Sequence, residues 1–238
     1  MTSVAAQKPR ARVARATPAA AHSIDVVLLT PSEGRLSVAL VRVPAGRAGE
    51  ARPRERWTLP WDAGRSDELL AERAGRIARA TVGVEPAWLE QIGAFGDGRR
   101  HPGGAEISVA FLGLIAAGTE LPDDTDVAYV PLAELPALAP RQRAMIDGAA
   151  ALLRARVQQS PVAFRLLPAT FTLSELQETY ELLLDRQLHK ASFRRSLQAA
   201  RIVEPTDEWR SEGRGRPAQL FRYAPKKRRN APRGVRFE

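Results

Sequence analysis

The stretch from Phe171 to Tyr223 constrains the fold of this 238-residue chain more than any other part of it. It opens with a capping box, because Thr172 and Glu175 have the Ser/Thr-x-x-Glu spacing that satisfies the free amides of a helix start. Phe171 and Leu176 flank this cap and can form the hydrophobic staple that often accompanies it. The apolar residues at helical spacing are Leu173, Leu176, Tyr180 and Leu183. We therefore predict an amphipathic helix at the start of the stretch.

A second helix, rich in arginine, is predicted after a turn at residues 185–188. Phe193 and Leu197 mark its buried face. The polar residues on its other side or near its N-terminus are Lys190, Ser192, Arg194, Arg195, Gln198 and Arg201. A helix of this kind can contact base edges and phosphates in the DNA major groove. Taken alone, arginines on one helix face more often belong to a solvated surface.

Two short strands complete the stretch, and a basic turn joins them. The strands are predicted to begin at Ile202 and Leu220, and the turn at residues 212–217 contains glycine and arginine. A cationic glycine turn suits a wing that lies against phosphates or in a minor groove. Because a capped helix, a short turn, a basic helix and a basic hairpin follow one another in this stretch, we predict a winged helix-turn-helix that binds DNA. Its DNA-contacting residues are predicted to be Thr172, Lys190, Ser192, Arg194, Arg195, Arg214 and Arg216.

The overall charge of the chain agrees with a polyanionic partner. A net charge of +9 and a pI of about 10.8 favour nucleic acid first and acidic membrane surfaces second. No apolar run approaches the length of a membrane span, and the N-terminus lacks the apolar middle of a signal peptide. The chain has no cysteine, which excludes disulfides and thiolate metal sites and fits a cytoplasmic location.

The chain is expected to divide into four parts. Residues 1–22 are rich in alanine, proline and arginine and are predicted to be a disordered basic arm. Residues 226–238 form a basic tail, and either segment could contact DNA phosphates or remain solvated. Residues 23–160 contain predicted elements in the order β-β-β-α-β-β-β-α. Pro161 marks the joint to the winged helix-turn-helix domain at residues 161–225.

The first helix of residues 23–160 carries the most informative pattern. We predict that Ser66 or Asp67 caps it and that it runs to Val82, with Gly83 as its C-terminal cap. Its inward-facing residues are predicted to be Leu69, Leu70, Ala74, Ile77 and Ala78. The second helix is predicted at residues 140–158, and strands at residues 24–29, 36–43, 57–60, 88–95, 107–116 and 129–132.

The first helix and the segment before it resemble the Nudix hydrolases. Residues 56–60, Arg-Trp-Thr-Leu-Pro, match the segment that precedes the Nudix box, G-x5-E-x7-R-E-U-x-E-E-x-G-U, in which U is a bulky aliphatic residue. With Gly83 as the anchor, Glu68 occupies the first glutamate of the box and Arg76 its arginine. Asp62 stands for the first glycine. The remaining three glutamates of the box are replaced by Ile77, Ala80 and Thr81.

The replaced glutamates decide which chemistry is expected. Nudix hydrolysis uses Mg²⁺ or Mn²⁺ held between carboxylates and the substrate diphosphate. Ile77, Ala80 and Thr81 offer no carboxylate, so we expect Glu68 and Arg76 to form a structural salt bridge instead. The sequence therefore predicts a domain that binds a ligand without hydrolysing it and without a resident metal or cofactor.

The order of the two domains resembles the Nudix-related transcriptional regulator (NrtR) family, over about residues 23–223. The most specific matches lie at residues 161–164, 167–168, 171–177, 180–181, 193–195, 215–218 and 221–223. The resemblance implies an α+β chain. Its N-terminal part would be a Nudix-like α/β/α sandwich with a mixed sheet, followed by the C-terminal winged helix-turn-helix.

The same resemblance implies a function. It suggests a dimeric bacterial repressor of genes for NAD or related nucleotide and sugar metabolism, bound to a palindromic operator. A nucleotide such as ADP-ribose, or a sugar phosphate, would bind the Nudix-like domain and release the DNA. The alternative is a Nudix-type diphosphate hydrolase whose C-terminal domain recruits nucleic acid, and the degenerate box favours the regulator.

The chain departs from the family in its recognition helix and near the ligand cleft. His189, Ala191 and Ser192 replace Asp, Arg and Asn, so we expect a different preference for DNA sequence. Trp61 lies where relatives have glycine, and residues 139–142, Ala-Pro-Arg-Gln, replace an Asp-His pair. Both of these changes count against ADP-ribose as the ligand.

The ligand site is expected to attract an anionic nucleotide or sugar phosphate, because arginine binds phosphate with two donors. Its ligand-binding residues are predicted to be Arg42, Arg56, Trp57, Asp97 and Arg100. Trp57 could equally belong to the hydrophobic core. His101 is expected to be a solvated loop residue and not a metal ligand.

Overall fold

The computed structural model describes residues 22–45, 54–64, 67–96, 101–123, 126–211 and 217–224. The strands are β1 (His22–Ser32), β2 (Arg35–Ala45), β3 (Arg54–Thr58), β4 (Trp61–Ala63), β5 (Trp88–Phe95), β6 (Ile107–Leu114), β7 (Val127–Pro131), β8 (Thr170–Phe171), β9 (Val203–Arg210) and β10 (Ala218–Tyr223). The helices are α1 (Leu70–Val82), α2 (Pro140–Gln159), α3 (Leu173–Leu184) and α4 (Lys190–Ala200). His22 thus lies in β1, although it was predicted to end the basic arm. The rest of the arm and the basic tail lie outside the described residues.

The seven strands β1 to β7 form one mixed sheet. Its order is β3-β2-β1-β6-β5, with β4 paired to β1 and β7 paired to β2. β1 and β6 run parallel, and the other pairs are antiparallel. A central strand that is covered on both faces reads as a continuous apolar run, which explains why residues 24–29 are apolar except for Asp25.

Helices α1 and α2 cover opposite faces of this sheet. On one face an apolar cluster joins α1 to the sheet through Ile24, Val26, Leu28, Ala74, Ile77 and Ala78. On the other face α2 packs against the sheet through Val27, Leu29, Leu112, Met145, Ile146 and Ala149. The alternation of residues 24–29 between two clusters follows the period of a strand. The predicted α/β/α sandwich with a mixed sheet is therefore present.

The start of α1 differs from the prediction, whereas its end agrees. The helix begins at Leu70, its N-cap residue is Leu69, and no side chain caps it. The predicted cap at Asp67 is therefore wrong, and Ser66 lies outside the described residues. Leu69 is 68% exposed and does not face inward as expected. Gly83 ends the helix at φ 78° and donates its N–H to the Arg79 carbonyl, as predicted.

The C-terminal part of the chain contains α3, α4 and a three-stranded sheet of order β8-β10-β9. Its core continues the α2 face of the large sheet, because one apolar cluster includes α2, the joint and both helices of the C-terminal part. From the end of α2 onward, its members include Val157, Val162, Ala163, Leu166, Phe171, Leu176, Tyr180, Leu183, Phe193 and Leu197. No helix in the described part of the chain is both long and apolar enough to cross a membrane.

Candidate nucleic-acid interface and ligand cavity

The predicted capping box at the start of α3 is present. Thr172 Oγ1 accepts a hydrogen bond from the Glu175 N–H at 3.1 Å, and Glu175 Oε2 accepts from the Thr172 N–H at 2.6 Å. Thr172 is only 7% exposed. Its side chain lies in the cap, where it fixes the direction in which α3 leaves the preceding strand, and its contact with DNA stays a prediction.

The turn between α3 and α4 is held by two side chains of α3. Glu181 Oε1 accepts from the Leu188 N–H at 2.8 Å and from Gln177 Nε2 at 2.9 Å. Gln177 Nε2 also donates to the Leu188 carbonyl at 2.9 Å. Asp185, in the left-handed region at φ 55°, ends α3. These bonds set the angle between the two helices and thereby aim α4.

α4 presents a cationic outer face. Phe193 and Leu197 are buried, and the Phe193 ring lies 5.8 Å from the Tyr180 ring. The exposed residues on the other side include Lys190, Ala191, Arg194, Arg195, Gln198 and Arg201. Ser192 is half-buried, and its Oγ accepts from Arg195 Nη2 at 3.4 Å. His189 is the N-cap residue of α4 but makes no side-chain capping bond, which leaves the first turn of the helix open to a ligand anion.

The wing strand β9 is attached to the start of α3. Arg210 Nη1 donates to Glu175 Oε1 at 2.6 Å. Burial works to raise the pKa of Glu175, but hydrogen bonds from Thr172 and Arg210 outweigh it and lower that pKa below its usual value. Arg214 and Arg216, the predicted DNA contacts in the wing turn, lie outside the described residues.

A cavity of about 360 Å³ lies where the degenerate Nudix box faces the sheet. Its wall is mainly apolar and consists of Val41, Val43, Thr58, Leu59, Pro60, Trp61, Asp62, Arg76, Ile77, Ala80, Thr81 and Val127. All three residues at the positions of the lost glutamates thus contribute to the wall. The Thr81 hydroxyl donates to the Ile77 carbonyl at 2.8 Å, within the helix.

The predicted salt bridge between Glu68 and Arg76 is confirmed at the edge of this cavity. Arg76 donates from Nε and Nη2 to the two oxygens of Glu68, at 3.1 and 2.5 Å. These hydrogen bonds from Arg76, outweighing desolvation, hold the pKa of Glu68 below its usual value and raise the pKa of Arg76. The bridge crosses from the loop before α1 to the helix itself.

Arg73 is a further member of this ion-pair cluster that was missed from the sequence. It is 2% exposed and donates from Nη1 to Glu68 at 2.8 Å and from Nη2 to Asp62 at 2.7 Å. The two carboxylates beside the cavity, Asp62 and Glu68, are therefore both paired with guanidinium groups. The acidic Asp62 at the position of the box's first glycine was a signal in the sequence that a cation could lie nearby.

The structure does not bring all the predicted ligand-binding residues to the cavity. Arg42 and Trp57 are direct cross-strand partners, and the Arg42 guanidinium lies 5.5 Å from the centre of the Trp57 ring. Both lie on the face that carries Leu40, opposite the cavity, because Val41 and Val43 alternate with Arg42 along β2. Trp57 packs against the α2 core cluster. Arg56 is exposed, while Asp97 and Arg100 lie outside the described residues.

His101 is buried, which corrects the expectation that it is solvated. It is 2% exposed, and its Nε2 lies 2.8 Å from Oδ1 of Asp25, a residue that is fully buried in β1. The His101 ring meets the Trp61 ring edge-on at 4.7 Å. The partner of His101 is 76 residues away in the chain, so only the tertiary fold shows why it is buried.

Comparison with known proteins extends over both parts of the chain. Residues 163–223 match the family model of the NrtR DNA-binding winged helix domain. A repressor of Acinetobacter baylyi, described as the ADPR responsive transcriptional repressor NtrR, is 27% identical over 215 residues, which cover 87% of this chain and 83% of that protein.

Solved structures give the same relationship. Shewanella oneidensis NrtR complexed with a 27mer DNA is 28% identical, with a TM-score of 0.72 over 91% of this chain and 98% of that one. A MutT/nudix family protein from Enterococcus faecalis, 18% identical with a TM-score of 0.64 over 85% and 87% of the two chains, shares the fold. The predicted fold class and the resemblance to the NrtR regulators are thereby confirmed.

Proposed function

We propose, from the premise that this chain is a relative of the NrtR regulators in both of its domains, that it is a ligand-responsive transcriptional repressor. It binds operator DNA through α4 and the wing, and it responds to a nucleotide such as ADP-ribose in the Nudix-like domain. Its targets are genes of NAD or related nucleotide and sugar metabolism. As a regulator of bacterial DNA it acts in the cytoplasm.

The observation that carries this proposal is the geometry of α4. One face of the helix is anchored by Phe193 and Leu197, while Lys190, Arg194 and Arg195 are exposed on the other. Such an arrangement is what a recognition helix needs, because its buried side fixes the orientation and its cationic side meets base edges and phosphates. The relative from Shewanella oneidensis was crystallised with DNA, which supports the same use of this domain here.

The effector is assigned to the cavity beside the degenerate Nudix box. Its apolar wall suits a planar nucleobase or a sugar face, and Arg76 supplies a cation at its edge. The Acinetobacter baylyi relative is described as responsive to ADPR, so ADP-ribose is the effector to test first. Loop residues Asp97 and Arg100 remain part of the proposed site.

We further propose that the domain does not hydrolyse its ligand. Ile77, Ala80 and Thr81 contribute no carboxylate to the cavity. The carboxylates of Asp62 and Glu68 are already paired with arginines. This donor set does not fit a hard divalent cation, which binds oxygen ligands. Turnover of ADP-ribose with Mg²⁺ at the ordinary enzymatic rate of about 1 s⁻¹ or more would restore the hydrolase alternative.

The proposed mechanism is a shift between two interdomain arrangements of a homodimer. Without effector, two winged helices are held at the spacing of a palindromic operator, about one helical turn or a multiple of it. Effector favours a different angle between the domains, so that the spacing no longer matches. The effector can cause this only if it binds one arrangement more tightly than the other. α2 is the proposed lever, because it spans the large sheet and ends at the joint before Val162.

The test begins with selection of bound duplexes from a random DNA library. Fluorescence anisotropy then measures affinity for the recovered duplex and for a scrambled duplex of equal length, with and without ADP-ribose. We expect tight, salt-sensitive binding of a palindrome, weakened by ADP-ribose. Equal affinity for both duplexes at every salt concentration would reject the DNA-binding proposal, and sedimentation of the complex tests the dimer.

A further inference from the structure

We propose that His101, held by Asp25, is a positioning residue of the effector site, and that Arg141 connects this positioning to α2. His101 fixes Trp61 and with it the strand β4, which forms part of the cavity wall. Arg141 ties the loop that follows His101 to the first turn of the lever helix. The inference rests on the proposed function, because it takes the nucleotide effector to be the ligand of this cavity.

The bonds around His101 specify both its orientation and its tautomer. The Gly103 N–H donates to His101 Nδ1 at 3.0 Å. Because Nδ1 accepts, the ring proton lies on Nε2 and is donated to Asp25 Oδ1 at 2.8 Å. Asp25 Oδ2 accepts from the Ser23 hydroxyl at 2.7 Å. Neither the Asp25 nor the His101 side chain has exposed surface, and a buried polar group with every bond satisfied holds one orientation.

This pair holds Trp61 on the face of the sheet that α2 covers, because directly paired residues of two strands point to the same side. Asp25 and Trp61 are direct partners in the register of β1 and β4. The Trp61 and His101 rings meet edge-on at 86°. A Cβ atom added to Gly103 would lie 2.0 Å from Trp61 Cη2, so the ring occupies the space that a side chain there would need. Asp62, the next residue of β4, pairs with Ile24 on the opposite face, and both Trp61 and Asp62 line the cavity. The seat of the Trp61 ring therefore fixes where β4 places this part of the cavity wall.

The same group of residues reaches α2 through Arg141. Arg141 is 2% exposed and donates from Nη1 to the Ala105 carbonyl at 3.0 Å, with Ser108 Oγ at 3.5 Å. Ser108 Oγ lies 2.9 Å from the Ser23 hydroxyl that binds Asp25. A continuous set of buried contacts therefore runs from the cavity wall to the start of α2. Contiguous polar networks of this kind can carry coupling between sites, and coupling must be measured directly.

Two substitutions of His101 separate its two bonds. His101→Gln keeps a donor near the position of Nε2, where Asp25 can accept it, whereas His101→Asn cannot reach Asp25. Calorimetry with ADP-ribose should show a loss of affinity of about tenfold or more for His101→Asn and of about threefold or less for His101→Gln. Operator affinity without effector should stay within about twofold for both variants. Equal ADP-ribose affinity of wild type and both variants would overturn the positioning role.

Tryptophan fluorescence gives a second readout that needs no effector. His101→Asn should change the emission of the protein, because the environment of Trp61 changes. That change should disappear when Trp61→Phe is added and persist when the exposed Trp209 is replaced by Phe. If the wild type binds the operator but not ADP-ribose, the assigned effector is wrong. The fluorescence comparison of these variants still decides the role of His101. An emission change that survives Trp61→Phe would overturn it.

The connection to α2 is tested by coupling, measured as the ratio of operator affinities without and with ADP-ribose. Arg141→Met should keep ADP-ribose affinity within about threefold but reduce this ratio by about tenfold. Arg141→Lys retains a donor for the Ala105 carbonyl and should recover part of the ratio. Circular dichroism confirms that each variant is folded. If the folded Arg141→Met protein has the same ratio of operator affinities as the wild type, the proposed connection through Arg141 is refuted.

Discussion

At the scale of single residues, the most direct prediction concerns two arginines of α4. The double variant Arg194→Ala/Arg195→Ala removes two exposed guanidinium groups and leaves the buried Phe193 and Leu197 in place. Each good base contact is worth about 1–3 kcal/mol, so the loss of two such contacts should weaken operator binding by at least about thirtyfold. Anisotropy measures the affinity, and circular dichroism checks the fold.

The matched control for this variant removes the same charge elsewhere. Arg79 and Arg143 are exposed and lie on α1 and α2, where they pair with Glu85 and Asp147. Arg79→Ala/Arg143→Ala should change operator affinity by only a small, uniform electrostatic amount. If both double variants bind operator alike, α4 is not the recognition helix.

The lowered pKa of Glu175 predicts how the stability of the winged helix depends on pH. Its folded-state pKa is lowered from the reference value of 4.5, so its contribution to stability is present above that value and is lost as the pH falls through the folded-state pKa. Glu175→Gln should therefore lower the melting temperature at neutral pH, with a deficit that shrinks in acid. Melting curves of both proteins across this range measure it. A deficit independent of pH would show that the carboxylate charge is not what stabilises the cap.

The sequence predicted some site residues well and others poorly, for a physical reason. Phe193, Arg194 and Arg195 were assigned correctly to buried and exposed positions because helical periodicity is local. That Arg42 lies on the face opposite the cavity could not be read from the sequence, because the direction of a strand side chain depends on the register of the sheet. His101 could not be recognised as buried, since Asp25 reaches it only through the tertiary fold.

At the scale of elements, the start of α1 depends on the cluster around Arg73. Arg73→Met removes the cation between Asp62 and Glu68. The guanidinium is buried but both carboxylates keep solvent contact, so we expect a loss of about 1–3 kcal/mol, below the cost for a fully buried pair. Urea unfolding measures it. Asp62 then keeps only a longer contact with Arg76, at 3.9 Å. Adding Asp62→Gly removes this weakly paired carboxylate and should recover part of the loss.

That recovery distinguishes an ion-pair effect from a packing effect. If the cost of Arg73→Met came only from altered packing, Asp62→Gly would add a further loss. Asp62→Gly in the wild-type background is the necessary control, because glycine also raises the entropy of the unfolded chain.

Some elements were predicted closely, β1 extends beyond the predicted residues 24–29 to His22–Ser32, and the shortest strands were missed. β5 has the predicted bounds, and α2 ends one residue beyond the prediction, at Gln159. β4 and β8 have three and two residues, too few to show a period in sequence, and they exist because β1 and β10 offer them partners. α1 begins later than predicted because Glu68 is engaged by Arg73 and Arg76 rather than placed in the first turn.

At the scale of the whole molecule, the contact between the domains is mainly apolar. The ion pair between Arg154 of α2 and Asp185, the C-cap residue of α3, is exposed and measures 3.3 Å. Exposed pairs of this kind contribute little to stability. The buried cluster that includes Val157, Val162 and Leu166 instead continues from the large sheet into the winged helix. The two domains should therefore unfold together, although each has its own sheet.

Calorimetry tests this cooperativity and its connection to the effector. We expect one unfolding transition for the wild type, and ADP-ribose should raise the melting temperature of the winged helix together with that of the Nudix-like domain. Leu166→Ala should cost about 2–5 kcal/mol and weaken this shared response, because Leu166 is 3% exposed at the joint. Val82→Ala, in the cluster on the other face of the sheet and outside the cavity wall, should destabilise without separating the domains. Two unfolding transitions in the wild type would contradict this prediction. So would a result in which ADP-ribose stabilises the Nudix-like domain but leaves the melting temperature of the winged helix unchanged. Either outcome would show that the joint does not transmit the effect of ligand binding.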